Sequence, residues 1–121
     1  MNNIELTRWC AKALRLFSEV VQSGKVSPVR VHSSDGPVSW YACYDGTRYD
    51  PLHNAEQNAQ LVSWLLRENY YFYQFRHRFT LMDENDTLIA EWDFTDMTIP
   101  ENRYRAVVEA VGRVMQEREG R

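Results

Sequence analysis

Cysteine is scarce in this chain: Cys10 and Cys43 are the only two among 121 residues. Neither belongs to a Cys-x-x-Cys pair, and His32, His53 and His77 do not fall at His-x-x-x-His spacing, so the pattern of a zinc site is missing. Glycine is also sparse, with five residues scattered singly, which leaves no glycine-rich loop to cradle a phosphate. No apolar run approaches the ~20 residues that a membrane-spanning helix requires. The opening Met1-Asn2-Asn3-Ile4-Glu5 carries neither the basic start nor the apolar stretch of a secretory signal. Reduced thiols in a cytoplasm are therefore the expectation. Nor is there a surplus of one charge: the net charge is -3, so nucleic acid would have to be held by a local basic patch.

What is present is an ordinary globular composition, 44% hydrophobic and 26% charged. The length suits one domain over residues 1–121 that buries a core without covalent staples. Residues 3–22 space Ile4, Trp9, Ala13, Leu14, Phe17, Val20 and Val21 as an amphipathic helix, with Asn2 or Asn3 as cap and Gly24 as terminator. Short strands are expected at 29–32, 40–44 and 47–49. The turn cluster Ser33-Ser34-Asp35-Gly36-Pro37 separates the first two, and the hairpin signal Asp45-Gly46 the last two. A second helix over 54–67 would bury Ala55, Ala59, Val62, Leu65 and Leu66, with Asn54 and Gln57 at capping-box spacing. Residues 70–82 and 87–95 read as one long hairpin around the polar loop Asp83-Glu84-Asn85-Asp86. A closing helix from Pro100 would turn Tyr104, Val107, Val108, Val111, Val114 and Met115 inward, with Thr98 and Glu101 again at capping-box spacing.

The resulting order is αβββαββα: an α+β fold with three helices mainly on one face of a single antiparallel sheet of about five strands. A four-residue loop at 83–86 sets Arg78 opposite Glu91 and Arg76 opposite Asp93. It also sets Phe79 opposite Ala90, His77 opposite Trp92 and Phe75 opposite Phe94. Alternation then assigns Tyr71, Tyr73, Phe75, His77, Phe79 and Leu81 to the core, and Phe72, Gln74, Arg76 and Arg78 to the open face. Aromatics mixed with arginines on a strand are also what single-stranded nucleic-acid platforms use. In this register the arginines are locally neutralised and the rings are internal, which disfavours that use.

Catalytic constellations are hard to find. Cys43 has no neighbouring base, and Cys10 lies inside a helix. The acidic loop lacks the alternating ligands and distal glutamate of an EF-hand. The carboxylate pairs Asp45 with Asp50 and Glu91 with Asp93 would each need a pocket to become an acid and a base. No enzyme activity, metal or cofactor is expected.

Tyr49-Asp50-Pro51-Leu52-His53-Asn54-Ala55-Glu56-Gln57-Asn58-Ala59-Gln60-Leu61 resembles a segment of small phage and prophage accessory proteins, in which an aromatic and Pro-Leu precede an alanine-containing helix. Glu101-Asn102-Arg103-Tyr104-Arg105-Ala106-Val107-Val108-Glu109-Ala110-Val111-Gly112 is similar to their closing helix, with valines here in place of the usual alanine-rich end. The resemblance implies a setting and no catalytic residues: accessory proteins of this kind often bind a host protein, defence components included. The sequence thus leads to a non-enzymatic protein that binds a protein partner, a host component or a second copy of itself, through Tyr41, Phe72, Arg76 and Arg78. The alternative is a small nucleic-acid-binding module using strand 70–80.

Overall fold

The structure, a computed structural model, describes residues 2–14, 26–30, 38–43 and 48–120. Among the described residues, three helices and six short strands make an α+β arrangement in which a helix followed by a three-stranded meander occurs twice before a last helix. These elements are α1 (Asn3–Ala13), β1 (Val26–Arg30), β2 (Val38–Cys43), β3 (Arg48–Tyr49), α2 (Ala55–Arg67), β4 (Tyr71–Gln74), β5 (Arg78–Met82), β6 (Leu88–Asp93) and α3 (Pro100–Glu119). Pairing is antiparallel throughout, but in two sheets, β1-β2-β3 and β4-β5-β6, where one sheet of about five strands was expected. The predicted helical residues 15–22, the terminator Gly24, His32, the turn at 33–37 and the Asp45-Gly46 tip lie outside the described residues.

Each helix starts where local chemistry directs it. Asn2 accepts the Glu5 N–H at 2.8 Å and Asn54 the Gln57 N–H at 2.9 Å, each satisfying one of the N–H groups a helix leaves free at its start. Gln57 does not complete a capping box. Its side chain instead accepts from the Asp50 N–H at 2.6 Å and donates to the Arg48 C=O at 3.2 Å, fastening β3 to the start of α2. At α3 the expected Thr98 cap is absent: Ile99 occupies the cap position, and Thr98 donates its N–H and hydroxyl to Asp96.

The three helices run in the same direction. Asn3 meets Arg105 and Asn58 meets Tyr104 near their starts, while Lys12 meets Glu119 and Glu68 meets Arg118 at their ends. α3 lies between the other two and buries Ala106, Val107, Val108, Ala110, Val111, Val114 and Met115. Tyr104, placed in that stripe by the sequence, is only half-buried.

The inward stripes of the other helices differ from those expected. α1 buries Leu6, Cys10, Ala11 and Ala13, with Ile4, Trp9 and Leu14 at the margin; α2 buries Asn58, Leu61, Trp64 and Leu65, leaving Ala55, Ala59 and Leu66 exposed. Asn58 is buried because its amide N–H groups satisfy the Pro51 and Tyr104 carbonyls, both at 3.0 Å. The side chains of Phe79 and Leu81 in β5 join the same core.

Candidate functional site

The run expected as one strand from 70 to 82 turns back on itself. β4 pairs with β5 in the register Tyr71 with Met82, Phe72 with Leu81, Tyr73 with Thr80 and Gln74 with Phe79. The turn at Phe75-Arg76-His77 contains none of the glycine, proline, asparagine or aspartate that ordinarily mark one. It is held from the far side of the sheet. Phe94 N–H donates to the His77 C=O at 2.9 Å, Met97 N–H to the Arg76 C=O at 2.7 Å, and His77 Nδ1 donates to the Thr95 C=O at 2.7 Å. Length was the available signal, because thirteen residues far exceed the ~5–6 of a usual strand.

This reversal exchanges the faces of β4. Cross-strand partners share a face, so Phe72 points inward with Leu81. It stacks on Phe79 with centroids 5.2 Å apart and planes inclined by 22°, and Phe79 in turn packs against Trp92 at 6.0 Å. Tyr71, Tyr73 and Phe75, assigned to the core by the sequence, stand on the outer face at 46%, 52% and 60% exposure. Phe72, expected on the open face, is therefore turned inward, and Tyr71, Tyr73 and Phe75 stand on that face in its place.

The β5–β6 register also differs from expectation. Arg78 opposes Asp93, Phe79 opposes Trp92, Thr80 opposes Glu91 and Leu81 opposes Ala90. Two one-residue changes combine here. The acidic loop closes on Asp83 and Thr87, with Asp86 in the left-handed conformation at φ 58°, so Met82 falls opposite Leu88. A bulge between Leu81 and Met82 then leaves Ile89 as the extra residue. One shift alone would turn β6 over; two restore its inward and outward sets.

Arg78 reaches Asp93 at 3.3 Å, an exposed pair worth about 0–1 kcal/mol. Arg76 has no strand partner. It is exposed in the turn, near enough to Asp96 to help hold that carboxyl below its ordinary range, although the main causes are the hydrogen bonds from the Thr98 hydroxyl and N–H. Tyr41 is placed by its backbone alone, in the central strand β2, opposite Pro28 and Tyr49.

The outer face of β4-β5-β6 thus carries a ladder of half-exposed rings, Tyr71, Tyr73 and Phe75, with Leu88 exposed on the opposite edge strand. At about half exposure three such rings present on the order of 300 Å², comparable to the largest apolar patch of a typical monomer, which is often functional. Arg76 and Arg78 stand at the turn end, and Asp83, Glu84 and Asp86 at the other.

Elsewhere the chemistry is quieter. Burial pushes the Cys10 thiol well above its ordinary range, which removes it as a nucleophile at neutral pH. His53 Nδ1 lies 2.8 Å from Asp50 beside a cleft of about 50 Å³, well below the ~300 Å³ of a small-molecule site, and Thr7 on its wall donates to the Asn3 C=O. A wider groove of about 660 Å³ opens where the three helices end, lined by Lys12, Trp64, Arg67, Glu68, Met115 and Arg118. Arg118 bonds Glu68 at 2.7 Å and covers the Trp64 and Tyr70 rings, and Lys12 pairs with Glu119. A basic residue in the last turn of each helix offsets the negative end of its dipole.

Among the described residues no group of three His, Cys, Asp or Glu could hold a metal ion, and no helix is long and apolar enough to cross a membrane. Compared with known proteins, the chain matches no protein-family model, no curated protein and no solved structure.

Proposed function

We propose that this chain is a non-enzymatic binding protein of phage or prophage accessory type, acting in the cytoplasm on a host protein partner, defence components included. Its contact surface is the outer face of β4-β5-β6. The observation that carries this reading is the exposed ladder of Tyr71, Tyr73 and Phe75 beside Arg76 and Arg78, since aromatic residues and arginine supply most of the binding energy at protein interfaces. The phage setting rests on the resemblance of residues 49–61 and 101–112. Capture from host lysate with the natural chain and with a Tyr73→Ser/Phe75→Ser variant tests the surface. A bound protein lost at least about tenfold in the variant supports the reading, that factor being 1.4 kcal/mol of binding energy; capture unchanged by the variant refutes it.

The exposed rings also favour a second reading, a module that stacks single-stranded nucleic acid on this face. Glu91, Asp93 and Asp96 lie on or beside the same surface and oppose phosphate, which ranks it second. Oligonucleotide affinity that falls steeply with added salt would reverse the order.

A further inference from the structure

The two edges of the β4-β5-β6 sheet are built differently. β6 carries devices that discourage another strand from adding to it: the bulge at Ile89 and the outward charges Glu91 and Asp93. β4 has no bulge, proline or charged residue, and among the described residues nothing pairs with its outer side.

Hydrogen-bond directions fix which of its backbone groups are free. Phe75 N–H donates to the Arg78 C=O at 2.8 Å, and bonding in an antiparallel pair alternates along the strand. Tyr71, Tyr73 and Phe75 therefore direct their backbone groups to β5, whereas Phe72 and Gln74 direct theirs outward.

We propose that β4 pairs with β4 of a second copy of this chain, antiparallel, about a two-fold axis at Tyr73. In this register Phe72 exchanges both backbone hydrogen bonds with Gln74 of the second copy, Tyr73 faces its own counterpart, and Tyr71 faces Phe75. Two observations select a second copy over an unrelated extended peptide. The aromatic positions 71, 73 and 75 are symmetric about 73, so they complement themselves ring to ring. The sheet also carries Arg76 and Arg78 at one end and Asp83, Glu84 and Asp86 at the other, and an antiparallel two-fold sets each basic end beside the opposite acidic one. The product is a six-stranded sheet with six rings on one open face. This inference rests on the reading of that face as the contact surface and adds how it is assembled. With four to five residues per edge, the contact lies at the small end of interface sizes, so the dimer is a concentration-dependent one.

The test joins sedimentation of the full chain from about 5 to about 500 µM, a range suited to small interfaces, with disulfide trapping in a Cys43→Ser background. The expected result is a rise from monomer to dimer mass with concentration, abolished by Tyr73→Lys with circular dichroism unchanged. Residues at a non-hydrogen-bonded pair sit ~4.5 Å apart at Cα, within disulfide reach. Tyr73→Cys should thus cross-link with itself at least about ten times faster than Tyr71→Cys, which lies four residues from its own counterpart at ~3.4 Å each. A mixture of Tyr71→Cys and Phe75→Cys should cross-link in the mixed pair. Monomer mass at every concentration, or Tyr71→Cys trapping as fast as Tyr73→Cys, overturns the proposal. A monomer whose lysate capture still depends on Tyr73 and Phe75 would sink the two-fold alone; a dimer whose capture ignores them would sink the partner-binding reading alone.

Discussion

Phe72 lies stacked on Phe79 at 5.2 Å although the two are seven residues apart, a separation that would put them on opposite faces of one continuous strand. Only a reversal of the chain between them brings both rings to the same side. That reversal creates β4, exposes Tyr73 and Phe75, and converts a presumed core segment into the candidate contact surface.

This arrangement makes opposite forecasts for neighbouring rings. Phe79 is fully buried, so Phe79→Ala should cost about 3–5 kcal/mol in urea unfolding. Tyr73→Ser, on the exposed face, should change stability by less than about 0.5 kcal/mol. Similar losses for both would mean that the faces of β4 are assigned the wrong way round.

Asn58 joins three segments, the loop after β3, α2 and α3, through its two donated hydrogen bonds. Asn58→Ala leaves the Pro51 carbonyl without this donor and removes the second bond to the Tyr104 carbonyl, which keeps its partner within α3, and should lower stability by about 1–3 kcal/mol. Asn58→Leu should not restore it, because the Pro51 carbonyl still lacks that donor. Recovery in the leucine variant would show that volume, not hydrogen bonding, is what the site requires.

Asp86 holds a positive φ of 58° in the β5–β6 loop. Asp86→Gly should be neutral or slightly stabilising, whereas a β-branched Asp86→Val should lose roughly 1–2 kcal/mol to backbone strain. Thermal melts of the two variants, read against the natural chain, decide it. Equal melting temperatures would argue against this loop geometry and with it against the register it sets.

Asp96 is partly exposed, and hydrogen bonds from Thr98 hold its carboxyl below the usual value, with Arg76 and His77 adding to the same direction. A depressed folded pKa means that its contribution to stability is fully present above the unfolded pKa of ~3.9 and is lost as pH falls through the lower folded value. An NMR titration of the Asp96 carboxyl should give a midpoint below that of a model peptide, and Thr98→Ala should move it upward. A midpoint at or above the peptide value would refute the Thr98 contact.

Helix placement was legible in the sequence because it depends on neighbours a few residues away. Asn2 and Asn54 cap where expected, and α2 and α3 have nearly the predicted extent. The acidic loop, the antiparallel pairing of β5 with β6 and their alternating faces were legible for the same reason.

Three features were decided only by tertiary structure. The turn at Phe75-Arg76-His77 exists because Phe94, Thr95 and Met97 bind its backbone and ring from across the sheet, and no local residue preference announces it. The inward face of α2 is set by the carbonyls that Asn58 meets on Pro51 and Tyr104, so a polar residue is buried while Ala55 and Ala59 remain in water. Arg78 meets Asp93 and not Glu91 because a loop and a bulge each move the register by one residue. Periodicity along a chain constrains which side chains share a face of an uninterrupted element; where that element is interrupted depends on contacts from distant residues, and the exposed ladder at β4 follows from one such interruption.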